Sequence, residues 1–302
     1  MTKQEEISML KKEKDAVLLA HYYVCPEVQE IADYIGDSYF LSKKAVDMPH
    51  KTIVFCGVSF MGESAKLLNP EKTVLMPDAG ADCPMAHMVS EETVKRARAQ
   101  YEDLAVVCYI NSTAEIKSWS DVCVTSANAV KIVKNLPNKN ILFIPDRNLA
   151  HFVAEQVPEK TFIYNEGYCP VHEHMKAEEI KELKNMHPMA KVLVHPECNS
   201  EILKLADYIG STSGIIDFAK NSPDKEFIIG TESGVRYALQ KTRQDAEFFF
   251  PKTEPICTDM KKVTLDNIIE VLKNGSNEVK GSNQQTDDAA KQTLTRMLEL
   301  AK

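Results

Sequence analysis

The sequence lacks three features, and each absence argues against a class of protein. No apolar run approaches the roughly 18 residues that a bilayer-spanning helix needs, so no membrane partner is expected. The opening residues MTKQEE do not form a secretory signal peptide, and we therefore expect a cytoplasmic protein. Positive charge is in deficit, with 36 Lys and Arg against 44 Asp and Glu, which argues against nucleic acid as a partner. An anionic small substrate stays open, because such a substrate feels the local field of a cleft.

Closely spaced cysteine pairs are also absent. The chain has 8 cysteines among 302 residues but no Cys-x-x-Cys. Thiols stay reduced in the cytosol, so these cysteines indicate metal ligands and small buried side chains rather than a disulfide framework.

What the sequence does contain is a long internal repeat. Three cysteines recur 86 and then 88 residues apart, and a shared polar skeleton with gaps of 12 and 5 residues precedes each of them. The skeletons are His21, Asp33 and Ser38 before Cys83, Tyr109, Asp121 and Ser126 before Cys169, and His195, Asp207 and Thr212 before Cys257. A fixed period means one structural unit used repeatedly, and this period is too long for a solenoid repeat. Each copy is therefore expected to be a small domain.

Apolar strand-like runs alternate with helical stretches in every copy. The predicted strands are 17–20, 34–36, 52–56 and 73–76, then 104–110, 122–125, 141–144 and 161–164, then 191–194, 208–210, 226–229 and 247–250. This alternation predicts an α/β fold of three homologous four-stranded parallel α/β sandwich domains around a pseudo-threefold axis. The predicted domains are 1–84, 85–171 and 172–259, with C-terminal helices within 260–302 packing on the first. The polar stretch 274–288 is predicted to be a mobile connection.

Each repeated polar residue, apart from the aspartates, falls where a predicted strand ends. Parallel sheets bind ligands at the carboxyl ends of their strands, so these ends should enclose one polar pocket. Ser38, Ser126 and Thr212 also precede helices and are predicted to be N-caps. Because a helix N-terminus with a free hydroxyl can bind carboxylate or phosphate, they suggest a substrate with several acidic groups. Asp33, Asp121 and Asp207 stand before short strands and are predicted to be structural.

Three thiols that meet at the axis would form a metal site. Cys83, Cys169 and Cys257 suit a [4Fe–4S] cluster, one per chain, better than zinc, because structural zinc usually uses four closely spaced ligands. A cluster held by three cysteines leaves one open iron that can act as a Lewis acid. Zinc with His172 or His87 as fourth ligand stays open. So does the absence of any metal, with Cys83 and Cys169 as turn residues.

A further slot in the repeat offers groups for acid–base chemistry. Tyr23, Asn111 and Glu197 each lie two residues beyond the first residue of their skeleton. A phenol, an amide and a carboxylate at matched positions are natural candidates for proton transfer or for hydrogen bonds to a carbonyl.

At these residues the chain resembles quinolinate synthase, an iron–sulfur enzyme family of NAD biosynthesis. The resemblance rests on motifs along nearly the whole chain: His-x-Tyr at 21–23, Gly-Asp-Ser at 36–38, Cys-Pro-Met at 83–85, Tyr-x-Asn-Ser-Thr at 109–113, Thr-Ser-Ala-Asn-Ala at 125–129, Pro-Asp-Arg-Asn-Leu at 145–149, Cys-Pro-Val-His at 169–172, His-Pro-Glu-Cys at 195–198 and Gly-Ser-Thr at 210–212. It implies condensation of iminoaspartate with dihydroxyacetone phosphate to quinolinate, phosphate and water. It further implies an oxygen-sensitive enzyme and a partner that supplies the imine, aspartate oxidase or dehydrogenase.

The resemblance also implies roles for individual residues. Cys83, Cys169 and Cys257 would hold the cluster. The catalytic residues would be Tyr23, Glu197, His195 and Tyr109, and the substrate-binding residues would be His21, Ser38, Tyr109, Asn111, Ser126, His195, Glu197 and Thr212. Two other classes stay open: a hydro-lyase acting on another small dicarboxylate, and a regulatory protein that senses iron or oxygen. A sensor of this kind would need a basic DNA-reading element, which this acidic chain does not show.

Overall fold

Three separate parallel sheets organise the chain in the computed structural model, which describes residues 1–302. The first sheet contains β1 (Ala16–His21), β2 (Tyr34–Gly36), β3 (Thr52–Cys56) and β4 (Thr73–Leu75), in the order β2-β1-β3-β4. Its helices are α1 (Lys3–Glu13), α2 (Pro26–Ile31), α3 (Ser38–Asp47) and α4 (Ser59–Leu68). We call this unit the first sandwich.

The second and third sandwiches repeat the same strand order. The second contains β5 (Leu104–Tyr109), β6 (Val122–Val124), β7 (Asn140–Ile144) and β8 (Thr161–Tyr164), with α5 (Glu91–Gln100), α6 (Ala114–Ser118), α7 (Ala129–Asn135) and α8 (Arg147–Gln156). The third contains β9 (Lys191–Val194), β10 (Tyr208–Ile209), β11 (Glu226–Gly230) and β12 (Glu247–Phe249), with α9 (Pro170–Glu173), α10 (Ala177–Met186), α11 (Ser200–Leu203), α12 (Thr212–Asn221) and α13 (Val235–Thr242). Their orders are β6-β5-β7-β8 and β10-β9-β11-β12.

This architecture confirms the predicted fold class. Every observed strand end lies within one residue of its predicted position. Strands β1 and β5 are buried along their length and β9 is buried after Lys191, which agrees with the continuous apolar runs that parallel sheets require. No helix has both the length and the apolar character needed to cross a membrane.

One aspartate fixes the register of the first two strands in each sandwich. Its Oδ2 accepts a hydrogen bond from a backbone N–H of the central strand, and the pairs are Asp33 with Leu18 at 2.7 Å, Asp121 with Val106 at 2.7 Å and Asp207 with Val192 at 2.8 Å. Its backbone N–H donates in turn to the carbonyl of the same strand residue. These contacts agree with the structural role predicted for the three aspartates.

One basic side chain closes a helix C-terminus in each sandwich. Lys72 Nζ donates to the carbonyl oxygens of Ala45 at 3.0 Å and Met48 at 2.6 Å, where α3 ends. Lys160 Nζ donates to the carbonyl oxygens of Leu136 and Asn138, just after the end of α7. Arg243 donates in the same way to those of Ala219 and Ser222 at the end of α12. A cation at this position satisfies carbonyls that the helix leaves unpaired and interacts favourably with its dipole.

The chain ends in two helices that pack on different parts of the molecule. Helix α14 (Leu265–Asn274) lies against α1, whereas α15 (Gln284–Leu300) contacts α4 of the first sandwich and α6 and β6 of the second. Thr293 Oγ1 of α15 lies 3.2 Å from Cys123 Sγ, and Arg296 donates to the carbonyl of Asp121.

The connection between these two helices differs from the prediction for 274–288. Val279 N–H donates to the carbonyl of Val74 at 2.8 Å, and Met76 N–H donates to that of Asn277 at 3.1 Å. Residues 277–279 therefore extend the edge of the first sheet beside β4, and α15 already begins at Gln284, capped by Asn283. The prediction of a mobile connection over this whole stretch was wrong.

We expect Lys72→Met to lower the free energy of unfolding by about 1.5–3 kcal/mol, since two carbonyls lose a charged donor. Urea denaturation of the metal-free protein measures this change. Lys51→Met is the matched control, because Lys51 is exposed in the same sandwich, and its loss should change stability by less than about 0.5 kcal/mol. Equal losses in the two variants would contradict a role for Lys72 in closing α3.

Candidate active site and metal centre

A single cavity of about 370 Å³ lies where the three sandwiches meet. Its lining contains every residue predicted for the site: His21, Tyr23, Ser38, Cys83, Tyr109, Asn111, Ser126, Cys169, His195, Glu197, Thr212 and Cys257. The volume is in the range of cavities that bind small molecules. No lysine or arginine is among the lining residues.

The central strand of each sheet delivers a ring to this cavity. His21 ends β1, Tyr109 ends β5, and His195 follows β9 directly. All three side chains are at least 95% buried, so their polar atoms must find partners inside the protein or in a ligand.

The hydroxyls beside these rings are not N-caps, contrary to prediction. Asp37 caps α3 by accepting from the N–H of Phe40 at 3.0 Å, and Ser211 caps α12 by accepting from that of Gly214 at 3.2 Å. Ser38 and Thr212 are therefore the first helical residues. In the second sandwich Asn128 precedes α7, and Ser126 lies two residues earlier. The hydroxyls are consequently not used to cap these helices.

The two histidines act as neutral donors. The Nδ1 atoms of His21 and His195 accept from the backbone N–H of Tyr23 at 3.2 Å and of Glu197 at 3.3 Å, which places the proton on Nε2. Burial lowers the pKa of each histidine to about 3, and for His21 the neighbouring His195 adds to this effect. At neutral pH His195 Nε2 therefore donates to Ser126 Oγ, 3.2 Å away.

Glu197 is a buried carboxylate that lies close to His172, His195 and Asn111. Its Oε2 lies 2.8 Å from His172 Nδ1 and 3.7 Å from His195 Nδ1, and its Oε1 lies 3.5 Å from Asn111 Nδ2. Burial by itself would raise its pKa, but His195, His172 and Tyr109 together lower the pKa to about 2. Glu197 is therefore ionised at neutral pH.

Tyr23 lies at the other end of the same hydrogen-bond network. Its hydroxyl is 2.7 Å from Thr212 Oγ1 and 2.8 Å from Thr231 Oγ1, and Thr231 Oγ1 is 2.9 Å from His172 Nε2. Burial, followed by the charge of Glu197, raises the pKa of Tyr23 well above its usual value. The same two causes raise the pKa of Tyr109, so both phenols are proton donors at neutral pH.

Sequence reasoning did not assign Thr231 to the site, and it considered His172 only as a zinc ligand. Thr231 directly follows β11, so the rule that ligands bind at strand ends could have identified it. His172 lies three residues after Cys169, and its Nδ1 is 3.2 Å from the Cys169 sulfur. Neither residue has a counterpart in the other repeats, so the repeat pattern alone could not select them.

A backbone hydrogen bond to an acidic side chain holds each of the three repeated cysteines in place. Each N–H donates to a side-chain carboxyl oxygen: Cys83 to Asp82 at 2.8 Å, Cys169 to Asp146 at 3.2 Å and Cys257 to Glu232 at 3.0 Å. All three thiols are free and partly buried, and burial raises their pKa values. A metal would therefore have to displace a proton from each sulfur.

This donor set fits a metal group with three thiolate ligands. Cys83, Cys169 and Cys257 come from separate loops and line one cavity, and no other cysteine lines it. His87 is absent from the cavity lining and pairs with Asp82 at 2.7 Å, so it does not join the three sulfurs. His172, Cys169 and Glu197 offer ligand atoms within 4.8 Å of one another, so the zinc alternative retains His172 alone.

Buried acid–base groups around three converging thiols are typical of a metal-dependent enzyme. Comparison with known proteins assigns the family. The model of the quinolinate synthetase A protein family matches residues 5–299, and the chain belongs to this family.

Curated relatives cover nearly the whole chain and are named quinolinate synthase. The relative from Clostridioides difficile is 55% identical over 274 residues, which are 91% of this chain and 90% of the relative. The relative from Fusobacterium nucleatum is 52% identical over 301 residues, 99% of both chains. The relative from Aquifex aeolicus is 46% identical over 303 residues, 99% of this chain and 94% of the relative. The protein is therefore an enzyme, and the resemblance seen in its motifs is confirmed.

The neutral histidines predict a loss of stability in mild acid. The unfolded chain binds a proton at His21 below pH 6.5, whereas the folded chain does so only near pH 3. The free energy of unfolding should therefore fall as the pH drops through this window, by up to about 1.4 kcal/mol per pH unit for each such histidine. We expect His21→Gln to reduce the loss between pH 7 and pH 5, measured by urea denaturation of the metal-free protein.

Glu197 does not disturb this measurement, because its contribution is present above pH 4.5 and is lost only as the pH falls toward 2. The control is His151→Gln, since His151 is exposed on α8. It should keep the slope of the wild-type protein. A wild-type slope in His21→Gln would contradict the burial of a neutral imidazole at this position.

Proposed function

We propose that this enzyme is a cytoplasmic quinolinate synthase of de novo NAD biosynthesis. It would condense iminoaspartate with dihydroxyacetone phosphate to give quinolinate, phosphate and water. The observation that carries the proposal is the convergence of three free cysteines and the polar strand ends of three sandwiches on one cavity. Its partners would be these two small-molecule substrates and an aspartate oxidase or dehydrogenase that supplies the imine.

The cofactor would be one oxygen-sensitive [4Fe–4S] cluster held by Cys83, Cys169 and Cys257. When bound, the cluster would supply an open iron that polarises substrate oxygens as a Lewis acid. Condensation and dehydration require no net electron transfer, so no redox partner is needed.

Substrate binding would rely on neutral donors. The two substrates bring two carboxylates and one phosphate, yet no cationic side chain lines the cavity. Ser38 and Thr212 open helices α3 and α12, where free backbone N–H groups and the helix dipole attract anions. Ser126, Asn111 and the Nε2–H groups of the histidines would add further donors. Hydrogen bonds of this kind strengthen in a buried site where water does not compete.

The protonation states divide the acid–base work. Glu197 is ionised, so it would accept the carbon-bound proton whose removal gives the enol or enamine. Tyr23 and Tyr109 keep their protons, so they would donate to an oxygen that leaves as water or to a carbonyl that gains charge. His195 would orient a carbonyl through its Nε2–H. The contacts through Thr231 and His172 hold Tyr23 in a fixed relation to Glu197.

The first test is an assay on protein purified without oxygen. Quinolinate formation from iminoaspartate and dihydroxyacetone phosphate should accompany about four irons and four sulfides per chain. We expect Cys169→Ala to lose the cluster and the activity together, because two thiolates cannot hold the cubane. Iron, sulfide and zinc should be measured on the same samples as the product.

Cys56→Ala is the matched control, because Cys56 is a buried cysteine of β3 that does not line the cavity. It should keep both cluster and activity. A full cluster without quinolinate would reassign the substrate, for instance to another dicarboxylate of a hydro-lyase. Zinc in place of iron, or an intact cubane in Cys169→Ala, would contradict the proposed centre.

Glu197→Gln should separate chemistry from cofactor assembly. The amide keeps the shape of the side chain and one acceptor oxygen, but it cannot accept a proton as a base. We expect kcat to fall by about 10²–10⁴-fold, the usual contribution of a general base. Iron content should be unchanged, since Glu197 is not a proposed ligand.

Glu201→Gln serves as control, because Glu201 is exposed on α11 close to Glu197 in sequence. Its kcat should equal that of the wild-type enzyme. Near-normal turnover in Glu197→Gln would remove Glu197 from the acid–base role.

A further inference from the structure

Tyr23 reaches its position from a short turn that crosses between two sandwiches. The turn follows β1 of the first sandwich, while both hydroxyl partners of Tyr23, Thr212 and Thr231, belong to the third. Its placement therefore depends on what holds the backbone of the turn against the third sandwich.

The three consecutive carbonyls of this turn are all bonded by side chains. Gln29 Nε2 lies 2.8 Å from the carbonyl oxygen of Tyr22 and 2.9 Å from that of Val24. The carbonyl between them, that of Tyr23 itself, accepts from Lys261 Nζ. Gln29 is part of the neighbouring helix α2, whereas Lys261 lies 238 residues away in the chain. Lys261 is thus the long-range contact among these side-chain bonds.

Lys261 also pairs with Glu232, and Glu232 connects this turn to the loop of Cys257. Lys261 Nζ is 2.8 Å from Oε1 of the fully buried Glu232, and the same oxygen accepts from the N–H of Cys257 at 3.0 Å. Oε2 of Glu232 accepts from the N–H of Gly234 at 2.7 Å. Lys261 is the only basic residue paired with Glu232, and a buried carboxylate without a partner would be costly.

Gly234 packs closely against both Tyr23 and Lys261. A Cβ at this position would come within 2.8 Å of the Tyr23 Cα and 2.9 Å of Lys261 Nζ, so only glycine lets the turn approach this closely. Gln29 Nε2 also lies 3.1 Å from the carbonyl of Gly234. The turn, the Cys257 loop and the Glu232 loop therefore form one connected unit.

We propose that Lys261 is a positioning residue that holds the Tyr23 turn over the cavity and links it, through Glu232, to the loop of Cys257. The inference rests on the proposed function insofar as Tyr23 takes part in the reaction. It assigns Lys261 no contact with substrate or metal. Its action is to keep the Tyr23 hydroxyl between Thr212 and Thr231.

The test uses Lys261→Met in holoenzyme prepared without oxygen. Amide hydrogen exchange in a peptide spanning 21–25 should become at least about tenfold faster, since the backbone of the turn loses the bond from Lys261 to the carbonyl of Tyr23. Turnover should fall by about 10²-fold in kcat with a smaller change in KM, as expected when a reacting group is displaced. Iron and sulfide per chain should stay at wild-type values. Lys261→Arg, which keeps the charge, should recover part of both losses.

Lys262→Met is the matched control. Lys262 lies on the same 3₁₀ turn, Met260–Lys262, but bonds Gly80 and Asp259 instead of Tyr23. It should keep wild-type exchange at 21–25 and wild-type kcat. If Lys261→Met fails to fold, the double variant Lys261→Met with Glu232→Gln removes the buried charge together with its partner. The double variant should keep its iron and still show fast exchange in the turn.

The outcomes separate this inference from the proposed function. Wild-type exchange and kcat in Lys261→Met would overturn it, as would loss of iron in the double variant, which would place the effect at the metal site. If the wild-type enzyme made no quinolinate, the proposed function would fail. The exchange measurement would still decide whether Lys261 holds the turn.

Discussion

The carboxyl ends of three parallel sheets share one cavity, and the position of almost every polar side chain in the site depends on that shared edge. Asp33 bonds the backbone of Leu18 and thereby sets where β2 begins relative to β1. That register determines how far Ser38 lies from His21. The same bond recurs in the other sandwiches, which explains why the spacings of 12 and 5 residues are preserved. The shared position of the aspartate within each skeleton thus reflects its hydrogen bond to the central strand.

Charge in the cavity is arranged in an unusual way for an enzyme with proposed anionic substrates. Carboxylates, among them Glu232, hold the cysteine loops from behind, and Glu197 is ionised inside the cavity. Neutral donors and helix N-termini remain to stabilise anionic groups in the cavity. A cationic side chain in the cavity would form an ion pair with the ionised Glu197. Hydroxyls and neutral imidazoles avoid this pairing and still satisfy the oxygens of a ligand.

The fold and the lining of the site could be predicted because both follow from local pattern and repetition. Apolar runs defined the strands to within one residue, and the matched cysteines indicated one meeting point. The helix caps could not be predicted with the same accuracy, because Asp37 and Ser38 are both good capping residues and only the backbone decides between them. The pairing of Val279 with Val74 is a contact between distant segments, which no local pattern reveals. The contact of Lys261 with the carbonyl of Tyr23 also joins distant segments, so local pattern could not predict it either.

A symmetric scaffold cannot by itself perform an asymmetric reaction, and the chemistry of this site lies where the repeats differ. The position two residues beyond each first skeleton residue holds Tyr23, Asn111 and Glu197: a proton donor, a neutral amide and an ionised carboxylate. If the same residue occupied all three positions, all three side chains would have the same protonation state. The site would then lack an acid paired with a base. The repeat supplies equivalent positions at one point in space, and divergence gives each position a different pKa. His172, Thr231 and Lys261, which have no equivalents, then fix these unequal groups in one geometry.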